Sequence, residues 1–140
     1  MQIQENVSLK PYNTFGIDHP ASHFLEIGSV DTLREVLQRK DLPSPFVLSG
    51  GSNILLTSPV NALVLYINLH GREVIQEDEN NVIIRAMAGE NWHELVMWSL
   101  EQGFGGIENL ALIPGKAGTA PIQNIGAYGV ELKDVFEACT

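Results

Sequence analysis

The sequence predicts an α+β fold, and three observations carry that reading. Short apolar runs are bounded by Pro, Gly and Ser, two longer stretches repeat their apolar residues at helical spacing, and 44% of the 140 residues are hydrophobic against 18% charged. Runs that short suit buried strands, periodic stretches suit helices, and a chain of this length and composition can bury a core.

The elements follow in order. After an initial strand, Ser29 to Lys40 places Val30, Leu33, Val36 and Leu37 on one helical face, and Thr32 with Glu35 has the spacing of a capping box. Phe46-Val47-Leu48 and Leu63 to Ile67 read as buried strands, so the first half runs strand, helix, strand, strand. Arg72 to Gln76 and Val82 to Ala88 flank the acidic, asparagine-rich Glu77 to Asn81, a turn that cannot stay buried, and together they predict a hairpin. Asn91 caps a second helix whose Trp92, Leu95, Val96, Ser99 and Leu100 face inward, with Glu94 in the first turn and Gly103 as the stop.

From Gly103 to Gly129 the texture changes. This stretch holds seven of the thirteen glycines, yet Ile107, Leu110, Leu112, Ile113, Ile122 and Ile125 argue for burial and therefore for an ordered loop system. Val130 to Thr140 alternates weakly and is expected to end without a turn or cap, as a truncated chain would.

Charge and composition exclude several classes of function. A net charge of -9, from eight Lys plus Arg against seventeen Asp plus Glu, opposes the phosphate neutralisation that nucleic-acid or anionic-membrane binding requires. The apolar runs fall far short of the ~20 residues that span a bilayer. One cysteine, Cys139, allows no intrachain disulfide, and Met1 to Lys10 lacks the apolar region of a secretory signal, so a cytoplasmic location is expected. No protein partner is inferred. No metal site is expected either. Pro20 interrupts the His19/His23 pair, and Glu90 with His93 is a single copy of a spacing that di-iron sites use twice. Trp92 and Trp98 are assigned to helix packing.

Two segments carry the chemistry. Ser49-Gly50-Gly51-Ser52-Asn53 directly follows a predicted strand, where glycine lets the backbone approach a ligand and offer N–H groups to an anion such as a pyrophosphate. The alternative is a plain tight turn. So acidic a chain would hold an anionic cofactor mainly through backbone and hydroxyl donors. In Ile113 to Gly129 small residues alternate with Thr119, Gln123, Asn124 and Tyr128, whose polar groups can bond the edge of a flat heteroaromatic ligand. An Ω-loop packed on its own apolar residues explains the same segment equally well.

These segments, with Leu9-Lys10-Pro11-Tyr12-Asn13-Thr14-Phe15-Gly16, Ala88-Gly89-Glu90-Asn91-Trp92-His93 and Glu108-Asn109-Leu110, resemble the UDP-N-acetylenolpyruvoylglucosamine reductase (MurB) family in content and order. The resemblance covers nearly the whole chain. It implies a two-subdomain FAD-binding fold of the PCMH/vanillyl-alcohol-oxidase type, with residues 1–66 as the first subdomain and 67–140 as an incomplete second, the substrate domain being absent.

The resemblance also implies FAD as cofactor, NADPH as reductant, and reduction of UDP-N-acetylglucosamine enolpyruvate to UDP-N-acetylmuramate for peptidoglycan, in cell-wall biogenesis. Ser49, Gly50, Gly51, Ser52 and Asn53 would hold the pyrophosphate. Ile113, Pro114, Gly115, Gly118, Thr119, Ala120, Ile122, Gly126 and Tyr128 would wrap the cofactor, with Tyr128 near its reactive ring. The family's proton donor is a serine in a Gly-Ser-Phe-Phe-Lys-Asn-Pro motif, and its polarising groups are an arginine in a Tyr-Arg-x-Ser motif and a late glutamate. None of these motifs occurs in the sequence, so no catalytic residue is carried over and the chain by itself is expected to be inactive. Ser49 and Lys116 depart from the family's usual residues. A non-catalytic flavin- or nucleotide-binding module is the rival reading, because it needs the same glycine loops and nothing more.

Overall fold

A computed structural model of the chain describes residues 1–140, which form two compact units, Met1–Leu69 and His70–Thr140. In the first unit, strands β1 (Gln4–Ser8), β2 (Pro20–Ile27), β3 (Pro45–Leu48) and β4 (Val60–Ile67) make one sheet in the order β1-β2-β4-β3. Strands β2 and β3 run parallel to the central β4, and β1 is antiparallel to β2. As suits a parallel centre, both faces are covered. Phe24 and Val64 lie opposite each other in register and pack with Leu9, Ala21, Leu48 and Leu56, while Leu25, Ile27, Leu65 and Ile67 alternate to the other face and are also buried. Tyr12, Phe24 and Tyr66 form an aromatic trio, Tyr12 standing 4.8 Å from each of the other two rings.

Helix α1 (Val30–Leu37) joins β2 to β3. Its cap lies three residues ahead of the one the sequence suggested: the Ser29 hydroxyl accepts from the Thr32 N–H at 3.1 Å, so Thr32 is the third helical residue and not the cap. Val36 is buried, whereas Val30 and Leu37, at the two ends of the short helix, are exposed.

The second unit opens with the expected hairpin, β5 (Arg72–Glu77) and β6 (Val82–Ala86). Asp78 closes its turn by accepting from the N–H groups of Asn80 and Asn81, both at 2.8 Å, and these bonds hold its pKa below the usual carboxylate value. Met87 and Ala88 have left the strand.

Helix α2 (Trp92–Glu101) is capped by Asn91, whose side-chain oxygen accepts from Glu94 N–H at 3.1 Å. It ends on Gly103 at φ +82°, where the N–H of Gly103 bonds Leu100 O and that of Phe104 bonds Ser99 O, a Schellman closure. Trp92, Leu95, Val96 and Ser99 are buried, but Leu100 is 40% exposed. At 100° per residue it stands about 80° around the axis from Trp92, on the rim of the apolar stripe.

The glycine-rich region is an ordered chain of short 3₁₀ turns, Glu108–Leu110 and Ala117–Thr119, leading to a small hairpin of β7 (Gly126–Ala127) and β8 (Val130–Glu131). Leu110, Ala120 and Ile125 join the core beneath α2. The burial expected for Leu112 and Ile122 fails: they are 79% and 83% exposed. Leu112 sits in left-handed backbone at φ +63°, and Ile122 lies in the turn that Asn124 N–H closes onto Pro121 O, so both side chains point outward. The chain after Val130 does carry a cap. Glu131 and Asp134 bracket the 3₁₀ turn Leu132–Asp134 as a reciprocal capping box. No helix is long and apolar enough to cross a membrane.

Candidate functional site

The loop Ser49–Asn53 leaves the carboxyl end of β3, the end of a parallel strand beyond which ligands characteristically bind in open α/β sheets. Its most informative atom is the Ser49 hydroxyl oxygen. It is buried with no hydrogen-bond partner, and no other buried side-chain polar atom in the chain shares that state. An unpaired buried hydroxyl is costly, and such groups call for an explanation. A phosphate oxygen is an acceptor that a serine hydroxyl can pair with, so the loop fits an anionic cofactor.

Gly51 also has a structural use within the chain. It has φ +61°, and a Cβ placed on it would lie 2.0 Å from the carbonyl oxygen of Tyr12 and 2.8 Å from Asn13 Cα. The backbone approach that glycine permits is to the chain's own Leu9–Gly16 segment, and Thr14 N–H donates to Gly51 O at 3.0 Å to complete the contact. That segment is itself knotted by buried Asn13, whose amide donates to Leu9 O at 2.7 Å and Ile17 O at 2.9 Å while its oxygen accepts from Ile17 N–H at 3.0 Å. An asparagine followed closely by glycine is a turn signal, but its satisfied burial is visible only in three dimensions.

In the second unit, the first turn of α2 holds residues 110–115, which lead into the Ile113 to Gly129 segment, at three points. Trp92 Nε1 donates to Leu110 O at 2.8 Å, Leu112 N–H donates to His93 Nδ1 at 3.2 Å, and Trp92 N–H donates to Gly115 O at 3.1 Å. Trp92 is thus a packing residue, as is Trp98, whose ring meets Phe104 edge-on and lies 5.9 Å from the Arg72 guanidinium. His93 was missed as a brace of the strained Leu112. Gly118 is required by close approach, since a Cβ there would come within 2.6 Å of Ala88 Cβ.

The remaining predicted residues divide by exposure. Ala120 is buried in the core, and the Thr119 hydroxyl is already bonded to Lys116 O at 3.0 Å. Ile122 projects outward, as does Tyr128, which is 90% exposed. Tyr128 (φ +52°) and Gly129 (φ +82°) form the two-residue turn between β7 and β8, a left-handed pair that such hairpins demand. A concavity of about 850 Å³ in this unit lies against Ile84, Trp92, Leu95, Phe104, Leu132 and Phe136 and meets the Ile113 to Gly129 segment only at Ala117 and Pro121. No group of three or more His, Cys, Asp or Glu side chains converges in a metal-binding arrangement, and Cys139 is exposed and unpaired.

Comparison with known proteins supplies the context for these loops. The chain is 50% identical to a UDP-N-acetylenolpyruvoylglucosamine reductase of Flavobacterium johnsoniae, over 99% of this chain and 41% of the relative. Enzymes of the same name from Pseudomonas fluorescens and Vibrio vulnificus are 53% and 51% identical, over 42% and 40% of their lengths. The chain therefore spans about two fifths of the length of the curated relatives it matches. Among solved structures it resembles the UDP-N-acetylenolpyruvylglucosamine reductase (MurB) of Thermus caldophilus, with a TM-score of 0.71 at 27% identity, over 96% of this chain and 46% of that one. The family described as FAD binding domain matches residues 21–140, and the chain belongs to that family.

Proposed function

We propose that the chain is the FAD-binding portion of an NADPH-dependent reductase that converts UDP-N-acetylglucosamine enolpyruvate to UDP-N-acetylmuramate in the cytoplasm, for peptidoglycan synthesis. The observation that carries this reading is the identity of half its residues, along its whole length, with reductases of that name. The geometry supports it at one atom. The unpartnered Ser49 hydroxyl, at the carboxyl end of β3, supplies a donor for the cofactor's pyrophosphate, beside the backbone of Gly50 to Asn53. Ile113, Pro114, Gly115, Gly118, Thr119, Ala120, Ile122, Gly126 and Tyr128 belong to the wrap around the cofactor, with Tyr128 toward the flavin ring. When bound, FAD supplies hydride transfer between NADPH and the substrate. This chain's residues bind and orient it. The proton donor and the polarising arginine and glutamate belong to sequence the chain does not contain, as does the remainder of the second subdomain.

The test is Ser49→Ala. Removing an unpartnered buried hydroxyl should leave the FAD-free protein as stable as before, or up to about 1 kcal/mol more stable. FAD affinity should fall by roughly 5–10-fold, the worth of about one hydrogen bond. Equal FAD affinity in both proteins by fluorescence titration would remove Ser49 from the site, and no FAD binding by either would remove the function.

A further inference from the structure

Glu90 is the buried charge that the reading above leaves unused. Its side chain is 6% exposed, and it is the sole Asp or Glu in the core of either unit. Three groups converge on its carboxylate: Oε1 accepts from Gly71 N–H at 2.7 Å and lies 3.4 Å from His70 Nδ1, and Oε2 lies 3.3 Å from Arg72 Nε. Arg72 is fixed in turn, donating to Glu94 O at 2.8 Å and lying over Trp98. The side chain of Glu90 therefore pins its own backbone to the start of β5. A carboxylate buried without such partners would be expensive, so the arrangement has one stable geometry.

The same backbone carries the glycine-rich segment. Glu90 O accepts from Ala117 N–H at 2.8 Å, Ala88 O accepts from Gly118 N–H at 3.1 Å, and Asn91 pairs with Lys116 in an isolated antiparallel bridge. Gly118 is packed so closely on Ala88 that no side chain fits between them. Displacing residues 88–91 must displace Lys116 to Gly118 with them.

We infer that Glu90 is a positioning residue for the flavin wrap: through its carboxylate it sets the Ala88 to Asn91 backbone on which Lys116 to Gly118 are hung. The inference rests on the FAD reading for its functional consequence, but the bracing stands without it. Glutamine at this position keeps the shape, removes the charge that Arg72 faces, and turns an N–H₂ toward donors. Aspartate keeps the charge and withdraws it by one methylene.

The experiment uses the full-length protein and two readouts. Amide hydrogen exchange of the FAD-free protein reads the brace directly. In Glu90→Gln the amides of Ala117 and Gly118 should exchange about 10-fold faster, the effect of losing about one charge-assisted hydrogen bond, while those of β2 and β4 are unchanged. FAD titration with visible circular dichroism reads the consequence: about 10-fold weaker binding and an altered flavin spectrum, both partly restored in Glu90→Asp. If Glu90→Gln does not fold, Glu90→Asp alone decides, through a smaller increase confined to the same two amides. Wild-type exchange at Ala117 and Gly118 in a folded variant would overturn the inference. So would faster exchange with unchanged FAD affinity and spectrum. Absence of FAD binding by the wild type would instead overturn the proposed function and leave the exchange result to judge the brace.

Discussion

Gly51→Val is expected to lower the melting temperature of the FAD-free protein by roughly 10 °C or more. The residue holds φ +61°, a region that costs a non-glycine residue on the order of 1–3 kcal/mol and a β-branched one the most. Overlap adds to this. The new Cβ would lie 2.0 Å from Tyr12 O, 2.8 Å from Asn13 Cα and 2.9 Å from Tyr12 C, all backbone atoms with no rotamer to escape into. Forcing them apart would strain the Thr14 to Gly51 bond and the three bonds of Asn13. Overpacking of this kind costs a further ~1–3 kcal/mol, so the total is a large share of an ordinary domain's ~5–15 kcal/mol. Thermal unfolding followed by far-ultraviolet circular dichroism measures it. A melting temperature within about 2 °C of wild type would contradict the packing of Gly51 on Tyr12.

Gly51 also shows what a sequence does and does not make legible. Glycine after a strand announces that something approaches the backbone, and from sequence the approaching partner reads as a ligand. Tyr12, about forty residues earlier, also approaches it, and no local pattern encodes a contact that distant. Elements set by local chemistry were readable: the Asn91 cap, the Gly103 stop, and the Asn- and Asp-rich turn between β5 and β6 all lie where turn and cap preferences place them. The cap of α1 was misread because Ser29 and Thr32 both satisfy the preference, and only backbone geometry distinguishes them. Leu112 and Ile122 were read as buried because they are apolar. Their exposure follows from loop backbone, which has no periodicity to betray it. At the candidate site, the two loops were legible as glycine-rich segments, whereas the unpaired Ser49 hydroxyl and the Glu90 anchor depend on burial and distances.

A preparation of residues 1–140 alone, supplied with FAD, NADPH and enolpyruvyl-UDP-N-acetylglucosamine, is expected to form UDP-N-acetylmuramate at least ~10⁴-fold more slowly than a full-length reductase. Loss of positioned acid catalysis typically costs ~10²–10⁴-fold, and loss of electrostatic stabilisation of the developing charge a further ~10²–10³-fold. The motifs that supply both in the family are absent from this sequence, and the relatives it matches are more than twice its length. Mass-spectrometric detection of product beside a full-length control decides the matter. A rate near that of the control would place the proton donor and the polarising groups within these 140 residues.

Under the proposed function, donors of the Ser49 to Asn53 loop meet the pyrophosphate of FAD, and residues of the Ile113 to Tyr128 segment contact the cofactor. An experimentally determined structure of the FAD complex tests this placement most directly. Pyrophosphate oxygens are expected within about 2.7–3.2 Å of donors in Ser49 to Asn53, the Ser49 hydroxyl included. Tyr128 is expected nearer the flavin ring than Trp92, which remains bonded to Leu110 in the core. A pyrophosphate seated away from Ser49 to Asn53, or a flavin ring stacked on Trp92 with Tyr128 remote, would contradict it.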